Sequence, residues 1–298
     1  RARSIRVSVV ALTRGINRWQ RDVMAIPEPR LKASIVVPFE DAAASVAEIE
    51  ALGPDKHYAQ VFLLTRSREP LGNPRYCPIY AAAERYGLPV AFHVFGAGGH
   101  PYTGTGWPSH YIEEGAGHST SCQTVVTSLV IEGVFERFPK LKAVIVEGGF
   151  GWLPALSWRL DKLYERMRSE VPHLKRKPSE YIRDHIYLST QPMEEPDDRR
   201  HLNDVIDWIG ADRLVFASDY PVVRLLMRLP SSASSAPAPS FATSTMQTFF
   251  SSELSQSLAS SSSAASVFGP SACNAASVRV GFFGMCKCDR DCDAPHSV

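Results

Sequence analysis

Three polar residues each lie at the end of a short apolar run. His93 closes Leu88-Pro89-Val90-Ala91-Phe92, Glu147 follows Leu141-Lys-Ala-Val-Ile-Val146, and Asp219 follows Arg213-Leu-Val-Phe-Ala217-Ser218. Open α/β sheets and (β/α)8 barrels present catalytic groups in this way, from the carboxyl ends of buried strands. One imidazole and two carboxylates suit a divalent ion such as Zn²⁺, Mn²⁺ or Fe²⁺. Such an ion lowers the pKa of bound water and polarises a carbonyl or carboxylate. Glu147 and Asp219 are the candidate proton-moving groups, and His93 and Asp219 the candidate metal ligands. Each also has a structural reading. His93 could be a core histidine satisfied by a carbonyl, Asp219 a helix N-cap, and Glu147 a carboxylate bonded to the backbone of Gly148 and Gly149.

A second set could hold a substrate. Arg66 stands just past the apolar run Ala59–Leu64, where its planar fork could grip a carboxylate. Trp107, His110, Tyr111 and His118 occupy a long glycine-rich stretch after His93 and could line or cover a pocket. Each is also compatible with packing or a solvated surface.

The elements that must position these groups alternate in kind. Strands are expected at Ala33–Phe39, Ala59–Leu64, Pro89–Val94, Leu141–Val146, His185–Thr190 and Arg213–Ala217, because these runs are short, apolar and β-branched. Helices are expected at Asp41–Leu52, Pro78–Tyr86, Thr124–Phe138, Trp152–Glu170 and Arg199–Ile209, several stopped by glycine or proline. Phe95–Ser121 reads as a loop, and Pro192–Asp198 as a turn leading into a helix. The alternation implies a parallel sheet with right-handed crossovers. The glycines after His93 do not form the dinucleotide fingerprint of a doubly wound sheet. The expected fold is therefore α/β of the (β/α)8 TIM-barrel type. It is incomplete, with about six strands recognisable where a full barrel has eight. The first two strands are the ones missing, leaving an open edge prone to aggregation.

Residues 1–30 read as an irregular segment and 31–221 as the partial barrel. Residues 222–298 read as a disordered Ser/Ala/Pro-rich tail ending in Cys286-x-Cys288-x3-Cys292-x3-His296, whose spacing fits no common zinc site. The 298 residues carry a net charge of +1 and are 44% hydrophobic. Near-neutrality gives no push toward nucleic acid or an anionic membrane, and no apolar run is long enough to span a bilayer. With two cysteines in the body, no disulfide framework is expected and a reducing, cytoplasmic setting is.

Several segments together resemble the type 2 branch of the amidohydrolase superfamily, which includes aminocarboxymuconate-semialdehyde and γ-resorcylate decarboxylases. They are Leu31–Pro38, Pro78–Glu84, Gly87–His93, Gly133–Pro139, Glu147-Gly-Gly-Phe-Gly-Trp152 and Leu214–Pro221. The resemblance implies a (β/α)8 barrel with one divalent metal at its mouth, zinc first and manganese or iron as alternatives. It also implies a small carboxylic or aromatic acid substrate that is hydrolysed or decarboxylated without oxidation, and a homodimer. His93 matches the fifth-strand ligand of that family and Asp219 its eighth-strand acid. Two departures stand out. The first-strand His-x-His pair is absent, and Glu147 stands where the decarboxylases carry a histidine. These departures, with the change of composition after Pro221, are also what a truncated or frameshifted, inactive product with a binding or scaffold role would show.

Overall fold

The computed structural model describes residues 2–96 and 106–218. Asp219, the Ser-rich tail and the Cys286–His296 cluster lie outside the described residues. Within them runs a parallel sheet of six strands. These are β1 (Ala33–Val36), β2 (Tyr58–Arg66), β3 (Val90–Gly96), β4 (Ala143–Val146), β5 (Ile186–Ser189) and β6 (Leu214–Val215). Each strand pairs in parallel with the next, in the order β1-β2-β3-β4-β5-β6. A doubly wound sheet reverses direction at a switch point. This one never does, so it forms an arc of a (β/α) barrel.

Side-chain alternation divides the sheet into two faces. Val61 and Leu63, Val90, Phe92 and Val94, Ala143 and Ile145, and Ile186 and Leu188 join the large core under the helices. Their alternates Phe62, Ala91, Val144, Val146 and Tyr187 make a smaller cluster on the opposite, inner face. By the same parity Arg66 on β2 and His93 on β3 belong to the inner face, at the carboxyl ends of their strands.

The covering helices are α2 (Ala42–Leu52), α3 (Cys77–Arg85), α4 (Tyr111–Ile131), α5 (Val134–Arg137), α6 (Leu153–Met167), α7 (Pro178–His185) and α8 (Arg199–Ile209). Local chemistry sets their ends. Asp41 caps α2 through the Ala44 N–H at 3.2 Å, and Asp198 caps α8 through the Arg200 N–H at 3.0 Å, each satisfying an orphan donor.

Three sequence expectations are corrected. Residues before Leu31 are helical rather than irregular, in α1 (Ala2–Trp19) followed by a π-helical turn, Gln20–Ala25. The loop expected to reach Ser121 instead becomes α4 at Tyr111, because Glu113 accepts the N–H groups of Ser109 (2.9 Å) and His110 (2.6 Å) and caps it early. Gly115 and Gly117 lie inside that helix; they hid it, since glycine weakens a helix without forbidding one. Helix α7 was hidden by its brevity.

The outer edge of β1 is not bare. In a parallel ladder alternate residues point their N–H and C=O groups to one side. Ala33 donates to His57 on the β2 side at 2.8 Å, so Ser34 and Val36 face outward. Asn17 of α1 completes Val36: its amide oxygen accepts the Val36 N–H and its nitrogen donates to the Val36 carbonyl, both at 2.9 Å. Gln20 does the same at Ser34, at 3.3 and 3.4 Å. Three helical residues rise about 4.5 Å, whereas two strand residues advance about 6.6 Å. The extra methylene of glutamine helps to span that difference. Asn17 also donates to Glu48 Oε1 at 3.0 Å, and its own carbonyl accepts the Tyr58 hydroxyl at 2.8 Å. Two primary amides thus stand in for a neighbouring strand.

The core also holds a pH-sensitive group. His185 is buried, stacked on Phe135 with ring centroids 4.5 Å apart, and held by the Leu141 carbonyl at 2.8 Å. Burial pushes its pKa down, as it does that of His118. The unfolded chain then takes up protons that the folded chain refuses, so stability falls as pH drops below the ordinary imidazole value of about 6.5. The urea midpoint is expected to fall between about pH 7.5 and about pH 5.5, and to fall less in His185→Gln. An unchanged midpoint would contradict this.

Candidate functional site

The carboxyl ends of β3 and β4 meet at His93 and Glu147. Register places His93 opposite Val146, so the next residue, Glu147, stands just above it. His93 Nε2 lies 3.1 Å from Glu147 Oε2, and both side chains are buried. His93 Nδ1 faces the Val94 carbonyl at 2.7 Å. Both ring nitrogens therefore face oxygen acceptors, whereas a neutral imidazole has one N–H. The second contact requires a second proton, shared with Glu147, or a cation at Nε2.

The backbone at this point is strained on both strands. Phe95 (φ 83°) and Glu147 (φ 57°) are the non-glycine residues with positive φ among those described, a conformation that costs of order 1 kcal/mol or more and clusters at functional sites. Ser189 on β5 accepts the Glu147 N–H at 3.1 Å and helps to hold that turn. Phe95 packs between the two histidines, with its ring centroid 5.9 Å from that of His93 and 4.8 Å, edge-on, from that of His118. Its carbonyl accepts the Thr65 hydroxyl at 3.2 Å.

His118 joins the site from α4. Its pKa is lowered first by burial. Glu114 and Glu147 pull it up, while His93 and Arg66 push it down. The last three influences bring Arg66, His93, Glu147 and His118 into one electrostatic neighbourhood. Trp107, His110 and Tyr111 behave otherwise. Trp107 and Tyr111 are each 63% exposed, and His110 Nδ1 lies 3.3 Å from Glu113 at the start of α4.

The two glycines after Glu147 have separate reasons. A Cβ on Gly148 would come within 2.4 Å of Cys122 Sγ, a buried thiol that burial pushes up to about 12. Gly149 has φ +63° and a Cβ there would fall 1.7 Å from Glu194 Oε1. Glu194 in turn accepts the N–H groups of Phe150 (3.1 Å) and Gly151 (3.2 Å), tying the loop after β5 to the loop after β4. The Trp152 indole donates to the Gly148 carbonyl at 2.8 Å. Gly149→Ala is expected to destabilise the fold by about 2 kcal/mol or more, from backbone strain plus this clash. Removing the clash with Glu194→Ala should return part of that loss. Strict additivity in the double-mutant urea melts would show that the latch is not what forbids the side chain.

Ser189, Phe95 and Glu194 were not singled out from the sequence. Only Ser189 left a trace there, as a polar residue closing the apolar run Ile186–Leu188.

A family model described as amidohydrolase matches residues 6–233. The chain belongs to this amidohydrolase family. The γ-resorcylate decarboxylase of a Rhizobium species is 24% identical over 234 residues, covering 72% of this chain and 67% of its own length. The 5-carboxyvanillate decarboxylase of Sphingomonas paucimobilis superposes with a TM-score of 0.59 at 23% identity, over 75% of this chain and 68% of its own. A dihydroxybenzoic acid decarboxylase of Polaromonas, solved with bound manganese and the inhibitor 2-nitroresorcinol, gives 0.56 at 20% identity, over 72% of this chain and 66% of its own. The chain thus spans about two thirds of the length of these enzymes. These likenesses confirm the α/β barrel-type fold.

The donor chemistry at the mouth suits a metal of that kind. With Nδ1–H donating to the Val94 carbonyl, Nε2 keeps its lone pair for a ligand, the orientation that metal-binding histidines adopt, and a carboxylate stands beside it. The number of donors is smaller than a complete site uses. No group of three or more His, Cys, Asp or Glu among the described residues could hold an ion.

Proposed function

We propose that this protein decarboxylates a small aromatic carboxylic acid at the mouth formed by Arg66, His93, Glu147 and His118. The His93–Glu147 contact at the ends of adjacent strands carries the reading. Its relatives are γ-resorcylate and carboxyvanillate decarboxylases, which favours decarboxylation over hydrolysis. A divalent ion held by His93 and Asp219, manganese as in the Polaromonas enzyme or zinc, would polarise the bound acid.

The chain's own residues account for the rest. Arg66 projects from the inner face, where a guanidinium pairs bidentately with a substrate carboxylate. Decarboxylation replaces a ring C–CO2⁻ bond by a C–H bond. One proton goes to the ring carbon, the electron pair of the broken bond stays with that carbon, and CO2 leaves. With His93 Nε2 given to the ion, the Glu147 carboxyl beside it is the group placed to make that transfer. Phe62 and Phe95, whose ring centroids lie 5.6 and 5.9 Å from that of His93, supply an apolar wall beside which an aromatic ring can stack. Free thiols at Cys77 and Cys122 accord with a reducing, cytoplasmic setting. Among the described residues no helix is long and apolar enough to cross a membrane.

The test is release of CO2 from γ-resorcylate by the full chain supplied with Mn²⁺, compared with Arg66→Gln. The reading expects turnover, with a KM raised on the order of tenfold or more in the variant. Hydrolysis of an ester or amide with no CO2 from any aromatic acid would overturn it.

A further inference from the structure

At the opposite end of the sheet lies a cavity of about 520 Å³. Lys142, His185 and Arg213 line it, and each is the residue immediately before a strand, β4, β5 and β6 respectively. It is therefore at the amino ends of the strands, remote from the mouth. Lys175 and Arg176, just ahead of α7, add two more cations, and the carboxylates lining it are Glu136 and Asp184. With Asp212 at the rim, which pairs with Arg213, four cations face three carboxylates and one positive charge is left over.

The acids are already committed. Glu136 takes Lys175 at 3.0 Å and the Tyr181 hydroxyl, and Asp184 takes Arg176 at 2.5 Å. Arg213 is shared between Asp212 at 3.3 Å, at the rim, and the Tyr187 hydroxyl at 2.9 Å. The Lys142 ammonium donates to a backbone carbonyl, that of Asp184, at 2.6 Å, and Arg213 approaches the same oxygen at 3.4 Å. Two cations thus converge on one neutral oxygen. Burial lowers the pKa of Lys142, and the neighbouring Arg213 lowers it further. Cations gathered at one neutral acceptor form a seat for an anion that can receive several charge-assisted hydrogen bonds at once.

We propose that this cavity binds a small phosphate dianion, free or as a phosphomonoester, between Lys142 and Arg213. Lys142 and Arg213 offer such an anion two charge-assisted partners, and the volume leaves room for an organic group beyond the phosphate. Nothing in the chemistry of the mouth requires such a site, and the inference stands independently of the decarboxylase reading.

The test is calorimetric titration of the full chain with inorganic phosphate at constant ionic strength, repeated with glycerol 1-phosphate and with acetate. Saturable phosphate binding in the millimolar range or tighter is expected. Lys142→Gln and Arg213→Gln should each weaken it on the order of tenfold, and Lys142→Arg should retain it, which separates loss of the site from loss of the fold. Tighter binding of glycerol 1-phosphate assigns the ester as ligand, and tighter binding of inorganic phosphate assigns the free ion; either supports the site. Absence of saturable binding would overturn the proposal. So would acetate binding of equal strength, or weakening by Arg66→Gln in place of Lys142→Gln, which would put the anion at the mouth.

Discussion

Glu147→Gln is expected to lower the rate of aromatic-acid decarboxylation by about 10²- to 10⁴-fold, the usual worth of a positioned proton donor. The amide matches the carboxylate in size and can still meet His93 Nε2, at 3.1 Å in the parent. It can neither take up nor release a proton. The loss should therefore fall on kcat with little change in KM, the pattern of an interaction used in the transition state. His93→Ala should be at least as severe. It removes the proposed ligand and leaves a buried carboxylate without its partner. Steady-state assays on γ-resorcylate, with urea melts beside them to show that Glu147→Gln remains folded, check both. An unchanged kcat in Glu147→Gln would place the chemistry elsewhere.

The largest effect on stability is expected far from the mouth, at Asn17. Asn17→Ala removes both partners of the Val36 N–H and C=O and one partner of Glu48. Asn17 and Glu48 are buried, with Asn17 fully inaccessible, so water does not readily replace what is lost. An unsatisfied buried polar group costs about 1–3 kcal/mol. Three of them together put the loss at roughly 3–5 kcal/mol, the range that marks a broken buried network. Gln20→Ala should cost less, because its bonds at 3.3 and 3.4 Å are long and weak. Asn17→Ala should also promote association, since it uncovers a strand edge able to pair with another chain. Urea denaturation and light scattering on the two variants test this; equal, small losses would mean that the amides do not seal the edge.

The strands were legible because parallel strands buried on both faces leave unbroken apolar runs. The residues that end those runs, His93 and Glu147, were legible for the same reason, and alternation along β2 and β3 puts Arg66 and His93 on one face. The supports were not legible. Ser189 meets Glu147 across 42 residues and Glu194 meets Phe150 across 44, with no local pattern announcing either. Asn17 in a helix carries no signal of a strand edge 19 residues away. Trp107, His110 and Tyr111 were read as pocket candidates from residue type alone; in the fold His110 and Tyr111 stand at the start of α4 and Trp107 is exposed just before it. Residue type suggested chemistry, but topology decided which of those residues meet.

The most direct measurement is turnover of γ-resorcylate in D2O by the full chain with Mn²⁺, following CO2 and the label in the product. The account predicts CO2 release, with one deuterium on the ring carbon that carried the carboxylate, and both signals lost in Glu147→Gln. Production of CO2 at the parent rate by Glu147→Gln, or no CO2 from the parent chain, would contradict it.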